Sequence, residues 1–147
     1  MTSEEVNSMT HASRVGDLMS TALVFVRDTD TLAVARREMQ RAGIHHLPVV
    51  DEHQNLVGVI SETDLSDRRR RTARTQRIGE LMSRAVVTVT PEISIRFARE
   101  LMLDRAFRSL PVVGSGGQLI GIVTETDLLR GIRAVDPGVG PSGERSS

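Results

Sequence analysis

Two short stretches carry the side chains best suited to gripping a small polar molecule, Ser61-Glu62-Thr63-Asp64 and Thr124-Glu125-Thr126-Asp127. In each, a hydroxyl is followed three residues later by a carboxylate. That spacing makes a helix capping box, in which hydroxyl and carboxylate satisfy backbone N–H groups left open where a helix starts. It also lets the carboxylate accept hydrogen bonds from two ribose hydroxyls, as an acid does in other nucleotide sites, while the hydroxyl meets sugar or phosphate. Asp is shorter than the Glu or Gln usual in a box, and both uses stay open. Three residues ahead of each hydroxyl lies a glycine, Gly58 or Gly121. A strand glycine marks a bulge or the close approach of a ligand.

Other chemistries are closed or poorly provided for. The chain has no cysteine, which removes disulfides, thiolate metal sites and thiol nucleophiles. Of the 4 histidines, His45 and His46 are adjacent and lack a spaced third ligand, so no metal site is expected. There is no Gly-rich phosphate loop and no nucleophile and base at a recognisable spacing, so no catalysis is expected.

All 19 basic residues are arginine, balanced by 19 acidic ones, which argues against a general polyanion binder. Six of the arginines fall in the run from Arg68 to Arg77. It reads as a solvated connector, with contact to nucleic acid or an acidic partner as the sharper alternative. With only Phe25, Phe97 and Phe107 as aromatics, a stacking platform for single strands is hard to build, and nucleic acid is not the expected partner. No apolar run approaches the roughly 18 residues of a membrane span and the polar start lacks a signal core, so no membrane partner and a cytoplasmic location are expected.

What positions the two stretches is an internal repeat. Residues 15–65 align with 78–128 at a constant offset of 63 without a gap, and 20 of the 51 positions are identical. The identities fall in blocks: GDLMS with GELMS, LPVV with LPVV, and LVGVISETDL with LIGIVTETDL.

Each copy predicts the same elements. Val24 to Val26 and Val87 to Val89 are short β-branched runs. Asp30, Thr31 and Ser94 are suited to N-caps. A helix follows each, with Leu32, Ala35, Met39 and Ala42, and then Ile95, Ala98, Leu101, Met102 and Ala106, at helical spacing. Gly43 is placed for a left-handed helix ending covered by Ile44; the second copy has Ala106 and Phe107 there. Two apolar runs then form a hairpin, Leu47 to Val50 with Leu56 to Ile60, and Leu110 to Val113 with Leu119 to Val123. Because these runs are continuous rather than alternating, both faces of each sheet are expected to be covered. A last helix begins after Ser61 and after Thr124.

A unit of about 50 residues buries too little surface to be stable alone. The copies are therefore expected to pack together about an approximate two-fold axis, leaving a cleft between them. The expected segments are a flexible start (1–14), two repeats (15–65 and 78–130), an Arg-rich linker (66–77) and a flexible tail (131–147) rich in Pro, Gly and Ser.

The order of elements, with LPVV on the first hairpin strand and the Gly-apolar-apolar-Ser/Thr-x-x-Asp ending, resembles the cystathionine-β-synthase (CBS) domain over about residues 15–130. The resemblance implies an α/β (α+β) fold of two CBS motifs, each a small mixed sheet with packed helices. It further implies a regulatory pair that binds AMP, ADP, ATP, S-adenosylmethionine or NAD in the cleft and associates as a homodimer. Whether Mg²⁺ accompanies a polyphosphate, and whether the effector protein is separate or absent, stay open, and the alternative is a structural or nucleic-acid-associating pair with empty clefts that uses the Arg-rich linker. In similar domains the adenine lies against the first strand and LPVV, here Ala22, Val24, Leu47 and Pro48, and Ala85, Val87, Leu110 and Pro111. Ser61, Asp64, Thr124 and Asp127 would take the ribose. Basic side chains at the hairpin edge often reach phosphates, which points to His45, His46, Arg108 and, one turn earlier, Arg105.

Overall fold

The computed structural model describes residues 13–66 and 75–135. Among them run five helices and five strands. The order is α1 (Val15–Leu18), β1 (Val26–Arg27), α2 (Leu32–Ala42), β2 (His46–Val50), β3 (Leu56–Ser61) and α3 (Glu62–Ser66). A 3₁₀ turn (Ile78–Glu80) follows, and then α4 (Ile95–Arg105), β4 (Ser109–Val113), β5 (Leu119–Thr124) and α5 (Glu125–Val135). The architecture is mixed α/β, as expected from the repeat.

The chain forms two compact units, and they do not coincide with the two repeats. One consists of the described residues of Ala22–Val87 together with Val113–Ile120; the other holds the residues through Thr21, Thr88–Val112, and those from Gly121. The opening segment of each repeat therefore belongs to the unit built around the other repeat's helix and hairpin.

In the first-hairpin unit the sheet order is β1-β2-β3. β1 runs parallel to β2 through Val26↔Val49 and Arg27↔Val50. β2 and β3 are antiparallel from His46↔Ser61 to Val50↔Leu56, with an irregularity at Val49/Val50. The stripe of α2 buries Leu32, Ala35 and Met39 on this sheet, whereas Ala42 is exposed. The core is completed from beyond the linker, by Ile78, Leu81 and Met82. Gly43 ends α2 at φ 67, the left-handed conformation that costs glycine nothing.

The hairpin turn is set by Asp51. One carboxylate oxygen accepts the N–H groups of His53 and Asn55 at 2.8 and 2.9 Å, and the other accepts the Asn55 amide at 3.2 Å. Partial burial pushes this carboxyl up, but the Asn55 and His53 N–H donors, the Asn55 amide and the nearby His53 outweigh it and hold the group below its ordinary value. In the same unit the turn pairs with the tip of the second hairpin: Leu56 N–H donates to Gly117 O and Leu119 N–H to Gln54 O, both at 3.0 Å.

In the second-hairpin unit β4 and β5 are neighbours, and the first strand of this repeat is reduced to a single parallel bridge, Val89↔Val112. Ser94 caps α4, its hydroxyl accepting Phe97 N–H at 3.1 Å. Ile95, Ala98 and Met102 are buried. α4 ends on Ala106 in the left-handed region at φ 56, the same ending as Gly43 but made with a Cβ. α1 docks here through Val15 N–H to Ile93 O and Gly16 N–H to Pro91 O, each at 2.9 Å. The buried Gly131 of α5 lies against Leu18 and Ile95.

Three expectations change. The hairpin strands are not covered on both faces throughout. Leu47 to Val50 of β2 are buried in succession, but β3, β4 and β5 largely alternate between buried and partly exposed residues. α5 continues to Val135, past the expected motif end at 130, with Gly131 close against Leu18 of α1 and Ile95 of α4. Ser13 and Arg14, expected in the flexible start, are fixed: their N–H groups bond Asp17 at 3.2 and 3.1 Å, and Arg14 bridges to Ser94. The rest of the expected flexible ends, and residues 67–74 of the linker, lie outside the described residues.

Candidate functional site

Each hydroxyl–carboxylate pair stands where a hairpin strand turns into a helix. In the first, one Asp64 oxygen (Oδ2) accepts the Ser61 N–H at 2.8 Å and the Ser61 hydroxyl at 3.0 Å, and Asp64 N–H donates back to Ser61 Oγ at 3.2 Å. In the second, Asp127 Oδ2 accepts Thr124 N–H at 2.9 Å and Asp127 N–H donates to Thr124 Oγ1 at 3.2 Å. Both are capping boxes, and Asp is long enough to close them. Both carboxylates are half-buried. Neither engages its second oxygen, Oδ1, in a hydrogen bond among the described residues, which leaves an acceptor beside the helix start.

The hairpin edge is fastened to the same helix starts. Glu62 N–H donates to His45 O, and Glu125 N–H to Arg108 O, each at 2.9 Å. His45 and Arg108 thus stand one peptide from their boxes. His45 Nδ1 lies 3.4 Å from a Glu62 carboxylate oxygen. His46 is exposed at the start of β2, opposite Ser61 in register. Arg105 and Arg108 are exposed and make no side-chain hydrogen bond or ion pair among the described residues.

The base-pocket candidates divide by unit. The first-hairpin unit holds Ala22, Val24, Leu47 and Pro48 as well as the Ser61/Asp64 box; Leu47 and Pro48 are buried, Val24 is half-buried and Ala22 exposed. The second-hairpin unit holds Leu110, buried, and Pro111, half-buried, beside Thr124/Asp127. Ala85 and Val87 fall in the closing stretch of the first-hairpin unit rather than with Leu110 and Pro111.

The glycines have a different explanation from ligand approach. A Cβ on Gly58 would stand 2.6 Å from Met82 Sδ and 2.8 Å from Ser83 O. One on Gly121 would meet Met19 Sδ at 2.6 Å. What approaches each glycine is the Leu-Met-Ser segment of the other repeat, paired through Val59↔Ser83 and Ser20↔Ile122. Repetition of Gly and of Met at the same offset was the signal available in the sequence; which copies of the two meet was not. Glu62 as the partner of His45 was likewise unanticipated.

Among the described residues no cluster of side chains could hold a metal, and no helix is long and apolar enough to cross a membrane. Arg77, the last of the linker arginines, is tied down, one guanidinium nitrogen donating to Thr29 O at 2.8 Å.

The sequence matches the model of the CBS domain twice, at residues 15–71 and 78–134. It is 31% identical over 121 residues to an uncharacterized 17.7 kDa protein of Acidianus ambivalens, covering 82% of this chain and 74% of that one. It is 32% identical over 124 residues to a homoserine O-acetyltransferase of Methanococcoides burtonii, where it covers 84% of this chain but spans only 25% of the relative. Among solved structures, CBSX2 of Arabidopsis thaliana in complex with AMP has a TM-score of 0.72 at 28% identity, covering 82% of this chain and 96% of that chain. The cytosolic domain of the Mg²⁺ channel MgtE in complex with ATP has a TM-score of 0.72 at 34% identity, over 86% and 51%. The CBS domain pair of protein MJ0100, in complex with 5-methylthioadenosine and S-adenosyl-L-methionine, has a TM-score of 0.67 at 28% identity, over 80% and 93%. With two matched domains carrying the doubled LPVV segment and the doubled strand-to-helix box, the chain belongs to the CBS domain family, as a tandem pair.

Proposed function

We propose that this chain is a regulatory module that binds an adenosine-containing ligand, drawn from AMP, ADP, ATP, S-adenosylmethionine and NAD, and catalyses no reaction of its own. The observation that carries this reading is the hydroxyl–carboxylate box built twice, each with a carboxylate oxygen left over after capping. That oxygen accepts a ribose hydroxyl while its twin keeps the helix capped. The adenine rests against the neighbouring Leu-Pro pair, and a polyphosphate brings Mg²⁺ with it. Structures similar to this chain hold AMP, ATP, or 5-methylthioadenosine with S-adenosylmethionine, all of which share the adenosine moiety.

Ligand that prefers one conformer of the module shifts its population, and a separate effector protein reads the shift. A compound that binds only the folded chain must raise its stability, by about 2.7 kcal/mol at a hundred times Kd. For a chain of this size that is roughly 5–10 °C in melting temperature. Thermal melts with each of the five compounds check this, and the proposal falls if none of them moves the transition.

A further inference from the structure

We infer that Met19 is an oxidation site, at which a peroxide converts the thioether to a sulfoxide and so loosens the opening segment of the chain from β5.

A two-electron oxidant finds few targets in this chain. It has no cysteine and no tryptophan, so the soft, oxidisable groups left are the thioethers of 6 methionines. Met1 and Met9 lie outside the described residues. Of the others, Met39, Met82 and Met102 are buried, none more than 8% exposed, whereas Met19 is only half-buried. Oxidation follows exposure, which singles out Met19.

The Met19 side chain lies flat along the glycine face of β5. A Cβ on Gly121 would stand 2.6 Å from its Sδ, 3.0 Å from its Cγ and 3.3 Å from its Cβ. Next to it a lone antiparallel bridge fastens the segment to the strand, Ser20 N–H donating to Ile122 O at 2.8 Å and Ile122 N–H to Ser20 O at 3.0 Å. In the reaction the sulfur lone pair takes one oxygen from the peroxide, the O–O bond breaks and water leaves. The sulfur loses two electrons and the peroxide gains them. The new oxygen is polar, and a contact too tight for a methyl group has no room for it. Burying it without a donor would also cost free energy. The oxidised side chain therefore swings out to water, and the bridge loses its cover.

The other repeat supplies the contrast. Met82 lies on Gly58 in the same way, its Sδ 2.6 Å from the Cβ position, next to the bridge Val59↔Ser83, whose two bonds are both 2.9 Å. But Met82 is sealed in the core with Ile78 and Leu81. One methionine-on-glycine contact is open to an oxidant and the other is closed. Gly121 stands three residues ahead of Thr124, so the open one bears on the strand that leads into the second box.

The experiment is treatment of the folded full chain with hydrogen peroxide, followed by peptide mass spectrometry, thermal melts and amide hydrogen exchange, on the wild type, Met19→Leu and Met19→Gln. Leucine keeps the apolar volume and has no thioether to oxidise. Met19 should become sulfoxide before Met39, Met82 and Met102. Peroxide should then lower the wild-type melting temperature by about 2–5 °C, the loss expected from uncovering part of one side chain. Exchange at the Ser20 and Ile122 amides should quicken by about fivefold or more, with Val59 and Ser83 unchanged. Met19→Leu should show neither response, although Met1 and Met9 are still present in it. Met19→Gln, with a polar group already in place, should show the faster exchange before any peroxide is added. Oxidation of Met19 no sooner than of the three buried methionines overturns the inference. So does a response that persists in Met19→Leu, or Met19 sulfoxide with unchanged exchange at Ser20 and Ile122. All three outcomes leave the adenosine-binding function standing, since none of these measurements uses a nucleotide.

Discussion

Asp64 and Asp127 show how one side chain can serve a fold and a ligand at once, since a carboxylate has two oxygens and the box consumes only one of them. Alanine at either position removes the cap along with any ribose acceptor, and costs about 1 kcal/mol in stability, so it cannot separate the two roles. Asparagine can. Its amide oxygen still accepts Ser61 N–H or Thr124 N–H, while the other arm becomes a donor and the charge is lost. Asp64→Asn and Asp127→Asn should melt close to the wild type, and each should lose much of the shift produced by AMP. Melts with and without AMP check this, and an undiminished shift in both variants would mean that the carboxylates cap and nothing more. The Ser/Thr-x-x-Asp spacing was legible in the sequence; its use was not, because capping and ribose binding ask for the same residues at the same strand-to-helix turn. Ser94 was legible as a cap, having one plausible partner. Gln54, at φ 65, gave no such signal, since its conformation follows from the Asp51 turn and not from its own type.

At the scale of elements, the hairpins and the long helices follow from apolar runs and helical spacing, and both appear within about two residues of where the sequence puts them. The short first strands were less legible: of Val24 to Val26 only Val26 enters a named strand, and Val87 to Val89 makes one bridge. β-Branching fits a residue to a sheet but does not supply a partner. The two strand glycines test how closely elements are packed. At Gly58 an added methyl group meets the Met82 side chain and also the Ser83 carbonyl, which the Val59↔Ser83 bridge holds in place. At Gly121 the nearest atoms all belong to the Met19 side chain, which can swing aside. Gly58→Ala should therefore cost about 1–3 kcal/mol, and Gly121→Ala clearly less. Urea unfolding of the two variants decides it; equal losses would show that Ser83 yields as easily as a methionine.

At the scale of the whole molecule, the repeat discloses two similar halves but not that each half lends its opening segment to the unit built around the other. Similarity along a chain records what the copies share, and both arrangements would leave the same 20 identities. Burial distinguishes them. The first-hairpin core takes in Ile78, fully buried, with Leu81 and Met82, all from beyond residue 65. Burying three such side chains is worth about 5–9 kcal/mol, comparable to the whole stability of an ordinary domain. A fragment of residues 15–65, one repeat by sequence, would lose these three from the cluster that also holds Leu47, Ile60 and Met39, and its own α1 would lack the segment around Pro91 and Ile93 that holds it. Such a fragment should show no cooperative thermal transition by circular dichroism, while the full chain melts as a folded protein. A fragment that melted sharply on its own would mean that Ile78, Leu81 and Met82 only decorate a core already complete without them.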